Sequence, residues 1–220
     1  MRFRGLKILL LAVTAAAVLF LLCGAVKTLG MDRWVDFDVY RITDCDRTSI
    51  IYDGQSDVVT RLHGVQDRTW VSISELQPST VYAFISAEDA RFFEHEGVDV
   101  IRIAGAIVAD IKAGSYVQGA STISQQLIKL SHLTSEKTIS RKAEEAALAY
   151  EMERQYSKED ILEMYLNYVY FGGGYYGIEA AAEGYFGVHA SDLTLDQSAM
   201  LAGILKSPSG YAPHINYAAS

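Results

Sequence analysis

The feature that most constrains this chain is a run of nineteen residues without a charge, from Ile8 to Val26. A helix of about 20 mostly apolar residues crosses the hydrocarbon core of a bilayer. Basic residues are denser before the run than after it, and an excess of Lys and Arg marks the cytoplasmic side of a membrane helix. The sequence therefore predicts a cytoplasmic tail over 1–7, one transmembrane helix over 8–28 and an extracytoplasmic remainder.

Two other interpretations of this apolar run are a cleaved signal peptide and a lipoprotein signal. The run is long for a signal peptide, and no Ala-x-Ala cleavage site follows it. Cys23 would be the lipidated residue, but Leu22 before it is larger than the small residue usual at that position. The second cysteine, Cys45, lies in the predicted extracytoplasmic part. A disulfide between a membrane helix and a soluble loop is disfavoured, so both cysteines are predicted to be free.

Charge limits the partners of the predicted extracytoplasmic part. The chain has a formal net charge of −8, and three of its basic residues lie in the predicted cytoplasmic tail. An acidic body of this kind argues against a nucleic acid partner. Six basic residues nonetheless fall within thirty positions, which predicts a specific anionic ligand: Lys129, Lys137, Arg141, Lys142, Arg154 and Lys158.

Short alternating segments precede a long helical region. Residues 49–52 and 58–62 alternate on either side of Asp53-Gly54, a pattern typical of a β-hairpin. We place this hairpin in a small membrane-proximal stalk over 29–74. Residues 70–76 are expected to form a further extended piece of the stalk, and Pro78 is expected to open the first long helix.

Capping residues and apolar residues at helical spacing dominate the chain from Asp99 onward. Leu130 is predicted to share the buried face of the helix that Ser121 or Thr122 caps. The region over 75–220 is thus predicted to be one mainly α domain. Its expected helices cover about 99–113 before Gly114, 122–130, 138–155, 161–167 after a capping box at Ser157, 178–185, and 198–205 after a capping box at Thr194.

Ionisable residues surround a Phe-Phe pair between Ser86 and Gly97. The apolar residues before this stretch would deliver Glu88 to a partly desolvated place. Burial beside apolar side chains tunes a carboxyl group for proton transfer near neutral pH, so Glu88 is a candidate general base. The alternative is a solvated loop in which Phe92 and Phe93 are anchors in the core.

Two further groups of residues could bind a charged or sugar ligand. A glycine, two hydroxyls and paired amides open the helix after Gly119, and they offer donors to an anion or a sugar. The alternative is an ordinary helix cap. Glu145 follows Arg141 by four residues and Lys142 by three, so the three side chains share one helical face. The alternative for these three is a surface salt-bridge helix.

These groups together resemble the glycosyltransferase domain of class A penicillin-binding proteins and of monofunctional peptidoglycan glycosyltransferases. The resemblance covers about 75–213, including the late segment 201–209. The family motifs match in order: E-D-x-x-F-x-x-H-x-G at Glu88–Gly97, G-x-S-T-I-x-Q-Q at Gly119–Gln126, R-K-x-x-E at Arg141–Glu145 and I-L-x-x-Y-L-N at Ile161–Asn167.

The resemblance implies a lysozyme-like, mainly α fold that polymerises lipid II, a disaccharide-pentapeptide on undecaprenyl pyrophosphate, into glycan strands with anomeric inversion. Glu88 and Glu145 would be the catalytic residues, with Glu88 as the general base and Glu145 orienting cations at the pyrophosphate or helping to hold a divalent ion. The residues expected to bind substrate are Asp89, Ser121, Thr122, Gln125, Gln126, Lys129, Lys137, Arg141 and Lys142. Those expected to support the site are Phe92, His95, Gly97, Tyr165 and Asn167.

The resemblance implies no definite cofactor, although Mg²⁺ or Mn²⁺ could assist at the pyrophosphate. The expected partners are lipid II, the growing glycan strand, the bacterial membrane and other cell-wall synthesis proteins. A lysozyme-like hydrolase is one alternative, but it would not need the cationic cluster. A catalytically weak scaffold is the other.

The sequence departs from the family at two places. His214–Tyr217 stands where family members usually have an Asn-Pro element after Pro213, and neither the Arg-rich helix that usually follows nor a transpeptidase domain is expected. Lys137 stands where an Arg is also common, so a charge is kept without the bidentate fork. Either the lobe closes differently or the chain is a shortened one, and the expected absence of the Arg-rich helix is the feature that favours the scaffold alternative.

Overall fold

The computed structural model describes residues 37–44, 49–56, 58–62, 68–114, 119–134, 136 and 138–213. No helix in these ranges is long and apolar enough to span a bilayer. The predicted cytoplasmic tail and transmembrane helix lie outside the described residues, as do Cys23, Cys45 and Lys137.

The predicted hairpin is present. Strand β1 (Ser49–Tyr52) pairs antiparallel with β2 (Val58–Leu62), with an irregularity in register between Ile51 and Tyr52. The carboxylate of Asp53 accepts a hydrogen bond of 2.8 Å from the backbone N–H of Gln55, which is how an Asp initiates a turn. The sequence prediction of the hairpin is confirmed, while its place in a membrane-proximal stalk stays a prediction.

The described residues are otherwise mainly helical, as predicted. A 3₁₀ turn at Ile73–Glu75 interrupts the piece that we expected to be extended, because a capping box at Ser72 closes a turn there. The α-helices are α1 (Tyr40–Thr43), α2 (Pro78–Glu88), α3 (Val100–Ala113), α4 (Ile123–Ser131), α5 (Ile139–Gln155), α6 (Lys158–Tyr168), α7 (Ile178–Phe186), α8 (Leu195–Ile204) and α9 (Pro208–Tyr211).

The predicted helix boundaries follow from capping. Thr122, Ser157 and Thr194 each close a capping box, in which the side chain accepts from a backbone N–H three residues on. Gly114 ends α3 in the left-handed conformation, with φ of 69°, which costs glycine little. Both kinds of signal are local, which is why the sequence revealed them.

Helix α4 lies at the centre of the core. It packs against α5 and α6, while α2 packs against α8. Ile123, Leu127 and Ile128 of α4 are fully buried, whereas Leu130 is 45% exposed and the prediction of its burial is wrong. Leu130 shares the helical face of Ile123 and Leu127, so its exposure means that the packing over this face does not extend to the last turn of α4.

One buried amide ties the segment before α2 to the core. The side chain of Asn167 donates to the carbonyl of Val71 and accepts from its N–H, both at 2.8 Å. It also donates to the carbonyl of Glu163 at 2.9 Å. A buried amide satisfied in this way holds one register of its neighbour, because any shift would leave polar atoms unpaired.

Candidate active site

Glu88 is the last residue of α2, and its side chain is half-buried. Its Oε2 accepts a hydrogen bond of 2.8 Å from Nε2 of Gln126 on α4. Within the described residues this amide is the hydrogen-bond donor to the carboxylate. The group thus has one oxygen fixed by a hydrogen bond and a second oxygen without one in the described part of the chain.

The orientation of Gln126 is set from behind by Tyr165. The hydroxyl of this fully buried tyrosine donates to Oε1 of Gln126 at 3.2 Å. Burial, and then the charges of Glu88 and Asp89, raise the pKa of Tyr165 well above its usual 10.0. Tyr165 therefore stays protonated and donates, which leaves the NH₂ group of Gln126 to face Glu88.

Asp89 is fully buried and joins three segments. Its Oδ2 accepts from the N–H of Ile123 at 3.1 Å and lies 3.0 Å from Nε2 of His95. Its Oδ1 lies 3.5 Å from Nη1 of Arg102, and the same guanidinium donates to the backbone carbonyl of Glu88. Asp89 and Arg102 thus fix the backbone at Glu88 relative to α4.

The stretch from Glu88 to Gly97 closes onto α4 and α5. Gly97 has φ of 83°, and a Cβ there would come within 2.8 Å of backbone atoms of Ala149 and Tyr150. The hydroxyl of Thr122 donates to the carbonyl of Gly97 at 2.6 Å. Only glycine allows this close approach of two backbones.

Three of the predicted substrate-binding residues use their side-chain polar groups in hydrogen bonds within the protein. Thr122 is the N-cap of α4, and Gln125 completes its capping box by accepting from the N–H of Thr122. Both side chains are buried, as is Asp89. Their burial and their internal hydrogen bonds argue against direct contact with a substrate.

Glu145 lies among cations, as its spacing predicted. It is 1% exposed, and its Oε2 accepts from Arg141 at 3.0 Å while Oε1 accepts from Lys142. The ammonium of Lys142 also donates to the hydroxyl of Ser121 at 2.9 Å. Lys142 remains 47% exposed, so its charge stays accessible to an anion from solvent.

The other basic residues of the predicted cluster differ in setting. Lys129 is exposed on α4, and Lys137 lies outside the described residues. Arg154 pairs with Glu151 on its own helix at 3.1 Å. Lys158 turns into the protein instead of facing solvent and pairs with Glu153, so it is not among the basic residues that are open to an anionic ligand.

The two phenylalanines of the first motif have different environments. Phe92 is fully buried, as predicted for a packing residue, whereas Phe93 is 54% exposed and is no core anchor. The 3₁₀ turn at Phe92–Glu94 explains the difference, because neighbouring residues on such a turn point about 120° apart.

Sequence reasoning missed Arg102 and Glu153. Arg102 lies three residues after the helix cap Asp99, on a helix analysed only for its apolar spacing. Glu153 lies eight residues after Glu145 on α5, and a buried carboxylate at that position is visible only from tertiary contacts. Its side chain is 5% exposed and accepts from Lys158 at 2.8 Å and from Ser124.

One group in the described residues could hold a metal ion: Glu179, Glu183 and His189 offer ligand atoms within 4.8 Å of one another. Glu179 already accepts from the N–H of Ala190 at 2.8 Å and lies 2.7 Å from Nδ1 of His189. This hydrogen bond with Glu179 raises the pKa of His189. None of these residues was among those predicted for the site.

Comparison with known proteins shows the family of this chain. The family described as transglycosylase matches residues 55–220. The chain belongs to the transglycosylase family. It is 48% identical over 167 residues to penicillin-binding protein 1A/1B of Bacillus subtilis, covering 76% of this chain and 18% of that protein. It is 43% identical to penicillin-binding protein 1A of Aquifex aeolicus, covering 76% of this chain and 23% of that protein.

The chain spans about a fifth to a quarter of the length of these curated relatives. Penicillin-binding protein 2D of Bacillus subtilis is 45% identical over 170 residues, with 25% of its length covered. A solved structure of penicillin-binding protein 1A from Haemophilus influenzae aligns at 20% identity with a TM-score of 0.37 over 77% of this chain and 15% of that one. That score is too low to support a comparison of the two folds.

Proposed function

We propose that this transglycosylase chain polymerises lipid II into peptidoglycan glycan strands and releases undecaprenyl pyrophosphate. The observation that carries the proposal is the position of the start of α4, which lies between the carboxylate of Glu88 and the cations at Glu145. Gln126 on α4 binds Glu88, and Ser121 just before its cap binds Lys142 beside Glu145. A base and a group of cations thus meet at the start of one helix.

Glu88 is the general base in this proposal. It takes the proton from the 4-hydroxyl of the acceptor N-acetylglucosamine as that oxygen attacks the anomeric carbon of the donor. The bond from that carbon to the pyrophosphate breaks, and the electron pair leaves with the diphosphate. The attack from the opposite face inverts the anomeric centre, and the diphosphate departs without a strong acid.

The cationic group stabilises the charge that develops on the leaving pyrophosphate. Lys142 carries the exposed charge, Lys129 lies on the neighbouring helix, and Lys137 is proposed from its spacing. Glu145 holds Arg141 and Lys142 in position through both of its oxygens. Because these oxygens are bound to cations, the donor set does not fit Mg²⁺ or Mn²⁺, and no step is assigned to a metal.

The remaining predicted residues take positioning roles. Thr122 and Gln125 hold the start of α4, and Asp89 joins it to the Glu88 loop. Ser121 and Gln126 are the residues of this group with atoms near the two charged centres. We also propose that 8–28 anchors the chain in the bacterial membrane, that 29–74 forms the stalk, and that 75–220 works outside the cytoplasm, with other wall proteins as partners.

The test is polymerisation of labelled lipid II by the purified chain in detergent, beside Glu88→Gln. We expect glycan strands from the native chain and a loss of at least about 10³-fold in the variant, because a positioned base contributes on the order of 10²–10⁴-fold. Product from both would remove Glu88 as the base. No product from a folded native chain would favour the scaffold alternative, and cleavage of preformed strands would favour the hydrolase.

A further inference from the structure

His95 lies between two buried carboxylates with an ammonium beside it. Its Nε2 is 3.0 Å from Oδ2 of Asp89. Its Nδ1 is 3.9 Å from Oε1 of Glu153 and 3.5 Å from Nζ of Lys158. The ring is 5% exposed, so these three side chains, rather than water, decide where its protons lie.

We infer that Lys158 selects the neutral Nε2–H form of His95 and so acts as a positioning residue for the proposed glycosyl transfer. The carboxylate of Asp89 can only accept, so Nε2 must carry a hydrogen. The choice lies at Nδ1. An ammonium facing Nδ1 favours a lone pair there, whereas an unbalanced Glu153 would favour a proton and a charged ring.

Lys158 compensates the charge of Glu153 next to Nδ1, and a second contact holds its ammonium in place. Its ammonium pairs with Glu153 at 2.8 Å, which compensates the carboxylate that would otherwise protonate the ring. It also lies 4.4 Å above the centre of the buried Phe92 ring, a favourable place for a cation. Ser124 donates a further hydrogen bond to Glu153.

The position of Lys158 is not explained by its own helix. It is the first residue of α6, where the helix dipole disfavours a positive charge. The side chain instead turns back into the protein and is only 19% exposed. Its contacts with Glu153, Phe92 and His95 therefore offset an unfavourable local placement.

The consequence for Glu88 follows through Asp89. A neutral ring donates one hydrogen bond to Asp89 and leaves this carboxylate its full charge to hold the N–H of Ile123 and face Arg102. These two contacts set the position of α4, which carries Gln126, and of the backbone that carries Glu88. A charged ring would compete with Arg102 for Asp89 and loosen both.

The test measures the protonation of the two ring nitrogens of His95 by ¹⁵N NMR, on the histidine-labelled full chain in detergent. His95→Gln identifies the ring signals among the five histidines of the chain. We expect one protonated and one unprotonated nitrogen in the native chain near neutral pH. In Lys158→Met, which keeps the apolar stem against Phe92, we expect both nitrogens to be protonated. Lys158→Gln repeats the test with a second neutral side chain.

Two more variants separate charge from packing. Lys158→Arg keeps the cation and should retain the native ring pattern. Lys158→Met with Glu153→Gln removes both charges and should return the neutral form. Lys206→Met, which deletes an exposed ammonium elsewhere, is the matched control and should change nothing. An unchanged ring in Lys158→Met and Lys158→Gln, or a charged ring in the native chain, overturns the inference.

Activity provides the second reading, and this part depends on the proposed function. We expect Lys158→Met to lower kcat on lipid II about tenfold through misplacement of the base, with KM within about twofold. Lys158→Arg and the double variant should recover most of kcat. If kcat and KM stay native in Lys158→Met while the ring changes, the positioning role is excluded. If the native chain turns over no lipid II, the proposed function fails, and the NMR result still decides the protonation of His95.

Discussion

The two glutamates predicted to be catalytic occupy opposite electrostatic environments. Glu88 is half-buried and accepts one hydrogen bond from a neutral amide. Glu145 is almost wholly buried, and each of its oxygens is bound to a cation. Cations occupy both oxygens of Glu145, whereas one oxygen of Glu88 has no hydrogen-bond donor in the part of the chain that the structure describes. The difference supports our proposal that Glu88 transfers the proton and that Glu145 organises the positive charge.

The sharpest test of this comparison is chemical rescue. Glu88→Ala should lose at least about 10³-fold in lipid II polymerisation, because the base is removed and a small space is left. Added formate should restore part of that activity by supplying a carboxylate. Glu145→Ala should gain nothing from formate, since its role is to hold two cations. Equal rescue of both variants would break the comparison.

Glu145→Gln should affect activity and stability together. We expect about 10²-fold lower polymerisation, because Arg141 and Lys142 lose the charge that positions them for the pyrophosphate. We also expect unfolding to be easier by about 1–3 kcal/mol, reduced from the value for a fully buried pair because Lys142 is half-exposed. Glu88→Gln is the control, with stability within about 0.5 kcal/mol of native. Chemical denaturation of both variants measures this difference.

Tyr165→Phe should have a smaller effect that is confined to the Glu88 side. The change keeps the buried ring and removes the hydroxyl that orients Gln126. We expect about tenfold lower kcat, because a freed amide can turn its oxygen toward Glu88. The KM for lipid II and the binding of inorganic pyrophosphate to the Glu145 side should stay native. A rise in KM with kcat unchanged would place Tyr165 in substrate binding instead.

The smallest expected effect lies at His189, which is paired with Glu179 outside both glutamate sites. The pairing raises the pKa of His189 above its usual 6.5. Its contribution to stability is therefore fully present below pH 6.5 and is lost as the pH rises through the raised value. Because the ring is 67% exposed, His189→Gln should lower the midpoint of thermal unfolding by on the order of 1 °C at pH 5.5 and less at pH 9.

Much of the fold could be predicted because its signals are local. The hairpin around Asp53-Gly54, the capping boxes at Ser157 and Thr194 and the end of α3 at Gly114 each depend on a few neighbouring residues. Backbone hydrogen bonds at turns and helix ends must be satisfied nearby, so the residues that satisfy them are adjacent in sequence. The same is true of Arg141, Lys142 and Glu145, which are separated by a single helical turn.

The predictions that failed depended on distant neighbours. Helical spacing of residues that include Val108 and Ile111 predicted an apolar face on α3, yet Ala106 is its buried residue, and Val108 and Ile111 are 40% and 38% exposed. Phe93 and Leu130 are exposed for the same reason: apolar character does not reveal which face meets a partner. Lys158 was predicted to belong with the basic residues open to an anion, but its contact with Glu153 holds it inside the protein.

By itself, the sequence determined the helices and the hairpin, because periodicity, capping and spacing act over a few residues, and its resemblance to a known family pointed to the two glutamates with their companion motifs. Only the tertiary structure decided which roles the individual residues can take. It buries Asp89, Thr122 and Gln125 as internal supports, and it sets Tyr165 behind Gln126. It also brings Lys158 to His95 across 63 positions. The physical reason is that desolvation and charge compensation depend on which distant side chains meet, and no local pattern records that.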